Sequence, residues 1–187
     1  MIRITALLAS IFIIGTAQAD EPFITLGSAT SAQDSGLLDY FLPIFRSASG
    51  INIHVMAVGT GKALAIGERG DADALLVHDR IGEDKFVAEG FGIDRRGGMY
   101  DDYIIVGPDA DPADIRGLTD ASKTFARIAS ARVLYVSSGD DTGTHRMELR
   151  LWKLAGIEPG PRDTWYRELG EGMRVTLNTA AAMNGTL

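Results

Sequence analysis

The feature that most constrains the fold of this 187-residue chain is a pattern that occurs twice near its start. A short apolar segment ends in glycine and small hydroxyl residues, and apolar residues then recur at helical spacing. Residues 23–26 lead in this way into the Gly-Ser-Ala-Thr-Ser sequence at 27–31, and residues 51–58 lead into Gly59-Thr60-Gly61. The alternation predicts βαβ units and therefore an α/β fold with mostly parallel sheets flanked by helices.

The rest of the chain continues the alternation. The predicted strands lie at residues 73–77, 103–108 and 132–136, and the predicted helices at 37–45, 62–69, 83–89 and 120–129. A third segment rich in glycine and hydroxyl residues occupies 137–144, and a helix follows it as far as Ala155. Pro43 should kink or shorten the first helix because proline cannot donate a backbone hydrogen bond.

The first 19 residues have the composition of a secretory signal peptide. Arg3 gives a positive start, an apolar run follows at residues 4–15, and Ala17 and Ala19 supply the small side chains that a signal peptidase accepts. A membrane anchor is the alternative, but a spanning helix needs about 20 apolar residues. We therefore predict a signal peptide at 1–19, a first lobe at 20–107 and a second lobe at 108–187, in a protein of the periplasm.

Composition excludes several classes of function. The net charge of -7 disfavours nucleic acid as a partner, because phosphate backbones are bound by basic surfaces. The absence of cysteine excludes disulfides, thiolate nucleophiles and cysteine metal sites. No nucleophile-elbow motif appears, and no two histidines stand at helical metal-ligand spacing, so we predict neither catalytic residues nor a metal or cofactor. Trp152, Trp165 and Tyr166 are interpreted as core aromatics.

The hydroxyl loops predict an oxyanion site. The first turn of a helix has free backbone N–H groups and partial positive charge, and glycine with small hydroxyl residues lets an anion approach them. Serine, threonine and aspartate are also ordinary helix caps, so any one loop taken alone is better explained as a cap. The recurrence of such loops in both predicted lobes favours binding. Lys62 and Arg146 are the nearest cations, and Asp140 and Asp141 are interpreted as helix caps.

Much of the chain from Phe23 onward resembles the substrate-binding proteins of tungstate ABC transporters, which are two-lobed type II periplasmic binding proteins. The resemblance is carried by the segments at residues 28–38, 57–64, 70–78, 99–108, 139–145, 151–153, 165–166 and 170–173. It implies an oxyanion held in the cleft between two lobes, an ABC permease in the inner membrane as partner, and a monomer. The ligand implied is tungstate or the similar molybdate.

Carried over by position, the resemblance implies that the ligand-binding residues are Thr30, Ser31, Thr60, Gly61, Ser138 and Thr142. Two positions depart from the family pattern. Ser28 and Ala29 stand where relatives have two threonines, and Ser138 stands where relatives have arginine. Loss of that arginine removes a charge-assisted hydrogen bond, which is about twice as strong as a neutral one.

Relatives in this family continue beyond the position of Leu187, so we expect a truncated chain with an incomplete second lobe. A hydrolase of phosphate or sulfate esters is the alternative function, since it would use the same anion loops with Asp140 or His145 as acid–base group.

Overall fold

A computed structural model describes residues 21–100 and 102–187, and the predicted signal peptide lies outside the described residues. The elements in chain order are β1 (Phe23–Ala29), α1 (Thr30–Asp34), α2 (Leu37–Ser49), β2 (Asn52–Val58), α3 (Thr60–Glu68), β3 (Ala74–Leu76), α4 (Arg80–Ala88), α5 (Ala121–Ala131), β4 (Tyr135–Ser137), α6 (Gly143–Leu154), β5 (Tyr166–Glu168) and α7 (Met173–Met183). No helix in this part of the chain is long and apolar enough to cross a membrane.

The first lobe consists of β1 to β3 and α1 to α4. Its three strands are parallel, in the order β2-β1-β3, and β1 pairs with β2 along its whole length. Near its end β1 also pairs with β3, from Leu26 opposite Ala74 onward. Because the carboxyl ends of parallel strands lie at one edge of a sheet, the helices that follow the three strands all begin at that edge.

The second lobe consists of β4, β5 and α5 to α7. Its two strands are parallel, with Tyr135 opposite Tyr166. The hydrophobic core of this lobe contains seven buried residues: Ala113, Phe125, Ile128, Tyr135, Trp152, Trp165 and Tyr166. The rings of Phe125 and Trp152 meet edge to face, with centroids 4.4 Å apart. The interpretation of both tryptophans and Tyr166 as core residues is confirmed by their exposures of 1%, 6% and 4%.

The predicted α/β fold with parallel sheets is confirmed, but Pro43 does not shorten its helix and two elements were not predicted. Helix α2 runs through Pro43 without ending. Pro43 lies on the exposed side of the helix, where the loss of one backbone hydrogen bond is tolerated. Strand β5 and helix α7 were not predicted; β5 has only three residues, which are too few to give a strand pattern.

Residues 103–108 are not a strand, although their apolar run predicted one. Val106 exchanges two backbone hydrogen bonds of 2.9 Å with Leu187, and this segment belongs to no sheet among the described residues. An apolar run gives a strand only where a partner strand satisfies its backbone groups. The division of the chain at Gly107 stays a prediction.

Candidate functional site

An open cleft of about 510 Å³ lies between loops of the two lobes. Its walls come from the carboxyl ends of β1 and β2, from the first turn of α3, and from two loops of the second lobe. The lining residues are Thr30, Ala57, Val58, Gly59, Lys62, Gly139, Asp140, Asp141, Gly170 and Gly172. This is the edge at which parallel sheets ordinarily bind ligands.

The first hydroxyl segment is divided between a strand and a helix rather than forming a loop. Ser28 and Ala29 belong to β1, and the Ser28 hydroxyl donates to the Leu76 carbonyl at 3.3 Å. Thr30 begins α1 and lines the cleft. The Ser31 hydroxyl lies 3.5 Å from Nδ1 of His78. Of the two residues predicted here, Thr30 therefore lies at the cleft, whereas Ser31 contacts a neighbouring side chain.

The second segment caps and begins α3. The helix starts at Thr60, two residues before the predicted start, with Gly59 as its N-cap. Thr60 is fully buried, and its hydroxyl has no hydrogen-bond partner among the described residues. The Gly61 N–H donates to the Asp141 carbonyl at 3.3 Å. The start of α3 therefore meets the second lobe directly, backbone against backbone.

Gly59 is required by this close approach. A Cβ atom at this position would lie 2.7 Å from the Asp140 carbonyl oxygen, a distance that no side chain can accept. A glycine lets two backbones approach where any other residue would hold them apart. The Gly-Thr-Gly sequence thus has a structural role in bringing the lobes together, in addition to any role in binding.

The hydroxyls of the second-lobe loop bind an internal carboxylate. Ser138 and Thr142 donate to the same oxygen of Asp140, at 2.9 and 2.8 Å. The Thr142 N–H reaches that oxygen at 3.2 Å. Both residues are buried, and Ser138 lines a separate cavity of about 1060 Å³ within the second lobe. The structure therefore does not bring their hydroxyls to the cleft.

Thr142, rather than either aspartate, is the N-cap of α6. Its hydroxyl accepts the His145 N–H at 3.3 Å, so the interpretation of Asp140 and Asp141 as N-caps is wrong. Asp141 adopts a positive φ of 58°, which aspartate tolerates better than most residues. Its backbone N–H donates to Nδ1 of His145 at 3.1 Å. This bond and the Asp140 carboxylate together fix the loop at the cleft wall.

Lys62 and Arg146 differ in whether their side chains form ion pairs with carboxylates. Lys62 is exposed, lines the cleft and makes no ion pair with any described carboxylate. Arg146 is held by Asp141, with Nε 2.7 Å from Oδ1, and by Asp79, with Nη1 3.1 Å from Oδ2. The hydrogen bond to Asp141, opposed by burial and helped by Asp79, raises the pKa of Arg146. Of these two cations, Lys62 is therefore the one whose charge is not already paired with a described carboxylate.

The glycines at the start of α7 were not among the predicted binding residues. Gly170 and Gly172 line the cleft, and Gly172 is the N-cap of α7. The first-turn N–H groups of α3 and α7 thus lie near one cleft and give it partial positive charge. The Gly-Glu-Gly sequence before an apolar helical pattern was the signal that could have revealed this.

The histidines are engaged separately. His54 is exposed and stacks on Phe23 with ring centroids 4.6 Å apart. Nε2 of His145 lies 3.7 Å from a carboxylate oxygen of Glu168. Across residues 21–100 and 102–187, no group of three or more acidic or histidine side chains is placed to hold a metal ion. The cleft offers backbone N–H groups at helix starts, the Thr30 hydroxyl and the Lys62 ammonium, and the aspartates in its lining are bound by their own loop and by Arg146.

Comparison with known proteins agrees with this geometry. Residues 15–186 match the PBP superfamily domain. The tungstate-binding protein TupA of Peptoclostridium acidaminophilum is 44% identical over 162 residues, which cover 86% of this chain and 56% of that protein. The chain spans about half the length of the curated relatives it matches, from 44% to 58%.

Two solved structures have the same fold. The tungstate ABC transporter structure from Geobacter sulfurreducens superposes with a TM-score of 0.75 at 43% identity, covering 88% of this chain and 70% of that chain. The tungstate-binding protein TupA of Desulfovibrio alaskensis G20 gives 0.69 at 43% identity, covering 88% and 66%. The chain therefore belongs to the PBP superfamily, in the family of the tungstate ABC transporter substrate-binding proteins.

Proposed function

We propose that this chain is the solute-binding part of an ABC importer, that it works in the periplasm as a monomer, and that it captures tungstate. The observation that carries the proposal is the cleft between the two lobes. Helix starts and glycine backbones line it on both sides, and Lys62 supplies a positive charge that makes no ion pair with a described carboxylate. Asp140 and Asp141 also line the cleft, but the first carboxylate is bound by its own loop and the second by Arg146. A tetrahedral dianion fits donors of this kind, which need no large net positive charge.

The residues proposed to bind differ in how directly they can act. Thr30 and Lys62 line the cleft and can reach a ligand as they stand. Ser138 and Thr142 can contribute only if their hydroxyls turn away from Asp140. Thr60 is buried, its hydroxyl has no partner in the part of the chain that the structure describes, and a small movement of the start of α3 would let that hydroxyl reach a ligand. Molybdate has nearly the same size and charge as tungstate and is proposed as the second ligand.

The proposal is supported by the tungstate-binding relatives, whereas no observation favours a hydrolase of phosphate or sulfate esters. A hydrolase of the expected kind needs an activated nucleophile with a base beside it. Here Nδ1 of His145 accepts a backbone N–H rather than a serine hydroxyl, and Asp140 accepts three hydrogen bonds that hold its loop.

Thermal melting tests the proposal directly. Purified protein is melted with sodium tungstate, molybdate, sulfate or phosphate, each at the same ionic strength, with sodium chloride as control. A ligand at 100 times its Kd stabilises the folded state by about 2.7 kcal/mol, which raises the melting temperature measurably. We expect the largest rise with tungstate and a smaller one with molybdate. If none of the four oxyanions shifts the transition relative to chloride, the oxyanion proposal is wrong.

A further inference from the structure

A fully buried carboxylate joins the two lobes. Asp79 lies at the N-cap of α4 in the first lobe, and its side chain is 0% exposed. Two arginines of α6 in the second lobe pair with it. Nη1 of Arg146 is 3.1 Å from Oδ2, and Nη2 of Arg150 is 2.7 Å from Oδ1. The arginines are four residues apart, so they lie on one face of α6.

Arg146 extends the group to a second carboxylate. Its guanidinium also binds Asp141 in a two-point contact, with Nε 2.7 Å from Oδ1 and Nη2 3.2 Å from Oδ2. One guanidinium therefore connects the first lobe, through Asp79, with the loop that forms the cleft wall in the second lobe. Two arginines and two aspartates balance in charge, and we call these four residues the interlobe ion cluster.

The energetics favour a closed arrangement only while the cluster is complete. Burial opposes the charge on Asp79, but the hydrogen bonds from Arg150 and Arg146 outweigh that effect and lower the pKa of the carboxyl. Removing one partner of a buried ion pair is strongly destabilising, because the remaining charge stays buried without compensation. When the lobes separate, water can solvate all four groups. Loss of Arg150 leaves the fully buried Asp79 with Arg146 alone, so it weakens the closed arrangement more than the open one, in which water solvates the carboxylate.

The two lobes pack closely beside the interlobe ion cluster. A Cβ atom on Gly143, at the start of α6, would lie 2.7 Å from the His78 carbonyl and still closer to the His78 ring. One on Gly82 would lie 2.7 Å from Oδ2 of Asp79. The start of α6 and the segment before α4 are thus in direct contact beside the cluster.

From these contacts we propose that Asp79, Arg146 and Arg150 form an ionic latch that holds the two lobes closed before any ligand binds. The latch is distinct from the proposed oxyanion donors, and no part of it depends on which ligand the cleft accepts. Ligand entry then requires the latch to open, and a bound ligand adds its own contacts to the same closed state.

Spin-label distances in the ligand-free protein test the latch. The chain has no cysteine, so Glu68→Cys in the first lobe and Lys153→Cys in the second give two unique labelling sites on exposed positions. In this background we compare Arg150→Ala, Arg150→Lys and Asp79→Asn. Arg80→Ala is the matched control, because Arg80 pairs with Asp84 on the exposed surface of one lobe.

We expect one narrow distance distribution for the parent protein and for Arg80→Ala. Arg150→Ala and Asp79→Asn should lower the ratio of closed to open molecules by about tenfold or more, since loss of a buried charge partner has effects of that size. Arg150→Lys should give an intermediate ratio. Circular dichroism establishes that each variant is folded. If folded Arg150→Ala and Asp79→Asn both keep the parent distribution, the latch is overturned.

The same samples separate the latch from the proposed function. Tungstate that restores the short distance in Arg150→Ala supports both proposals. If Arg150→Ala is open without ligand and tungstate changes the spin-label distance in no variant, the latch is supported and the oxyanion proposal is wrong. If tungstate closes a parent protein that is already open, the latch is wrong and the oxyanion proposal stands.

Discussion

The carboxyl of Glu148 lies inside the second lobe and accepts three hydrogen bonds. Trp152 Nε1 and the Tyr166 hydroxyl reach one of its oxygens at 3.1 and 2.9 Å, and the Ser137 hydroxyl reaches the other at 2.7 Å. Burial raises the pKa of Glu148 above its ordinary value of 4.5, against the lowering effect of these bonds. At pH values between 4.5 and the folded-state pKa, the folded protein therefore retains a proton that the unfolded chain has already lost.

The pH dependence of stability follows from that difference. A raised pKa in the folded state means that the contribution of Glu148 to the free energy of unfolding falls as pH rises from 4.5 through the folded-state pKa, and is constant above it. Glu148→Gln keeps an acceptor for Trp152 and Tyr166 and a donor for Ser137, so we expect it to abolish this decline. Urea unfolding of the parent protein and of Glu148→Gln at several pH values above 4.5 measures how the free energy of unfolding changes with pH. Parallel pH profiles would contradict the assignment to Glu148.

Truncation of the same residue should be much more harmful. Glu148→Ala leaves a buried indole N–H and two buried hydroxyls without an acceptor, and each such group costs about 1–3 kcal/mol. We expect a loss of about 3 kcal/mol or more in the free energy of unfolding, measured in urea at pH 7. Leu149→Ala, on an exposed neighbour in α6, is the control and should cost far less.

Lys62 carries the residue-scale prediction for binding. A hydrogen bond to a charged group contributes about 1.5–3 kcal/mol, so Lys62→Gln should weaken tungstate binding by about tenfold or more. Lys153→Gln, on an exposed lysine of α6, removes the same charge away from the cleft. Isothermal titration calorimetry compares the three Kd values. Equal weakening by both substitutions would mean that only the net charge matters, and Lys62 would not be a ligand.

At the scale of elements, the sequence predicts best where its signal is local. The strands before Thr30 and Thr60 and the long amphipathic helices follow from periodicity, which depends on neighbouring residues alone. Strand β5 has only three residues, and the segment at 103–108 forms no sheet, so neither could be judged without its neighbours in space. The positions of Thr30 and Gly59 at the cleft were predictable from the strand–helix junctions. The use of Ser138 and Thr142 by Asp140 was not, since either hydroxyl could equally have faced a ligand.

Helix α6 gives the element-scale prediction, because it begins against the first lobe. Gly143 has no room for a Cβ atom beside His78. Alanine is a better helix former than glycine by up to about 1 kcal/mol, so Gly143→Ala should leave α6 itself intact. We expect it instead to push the lobes apart, lengthening the Glu68–Lys153 spin-label distance and weakening tungstate binding.

The control for that prediction is Gly160→Ala, since a Cβ atom at Gly160 meets nothing within 4 Å. It removes a glycine from a loop of the second lobe without touching the first. Gly143→Ala with the parent distance and the parent Kd would show that the closed contact between α6 and His78 does not persist in solution.

For the whole molecule, the two lobes differ in how much apolar surface they bury. The aromatic core lies in the second lobe. The buried apolar residues of the first lobe are small or few: Ala29, Leu38, Ala63 and Leu64. Helix α2 leaves Tyr40, Phe41 and Ile44 more than half exposed. Since stabilisation scales with the apolar area removed from water, the first lobe should be the less stable of the two.

This difference predicts two unfolding transitions that a single protein sample can resolve. Both tryptophans, Trp152 and Trp165, lie in the core of the second lobe, so tryptophan fluorescence reports that lobe alone, whereas far-UV circular dichroism reports both. In urea we expect the dichroism signal to fall first and fluorescence to change at a higher concentration. Arg150→Ala should widen the gap, because it uncouples the first lobe from the second. Coincident transitions by the two probes would instead mean that the lobes unfold as one cooperative unit.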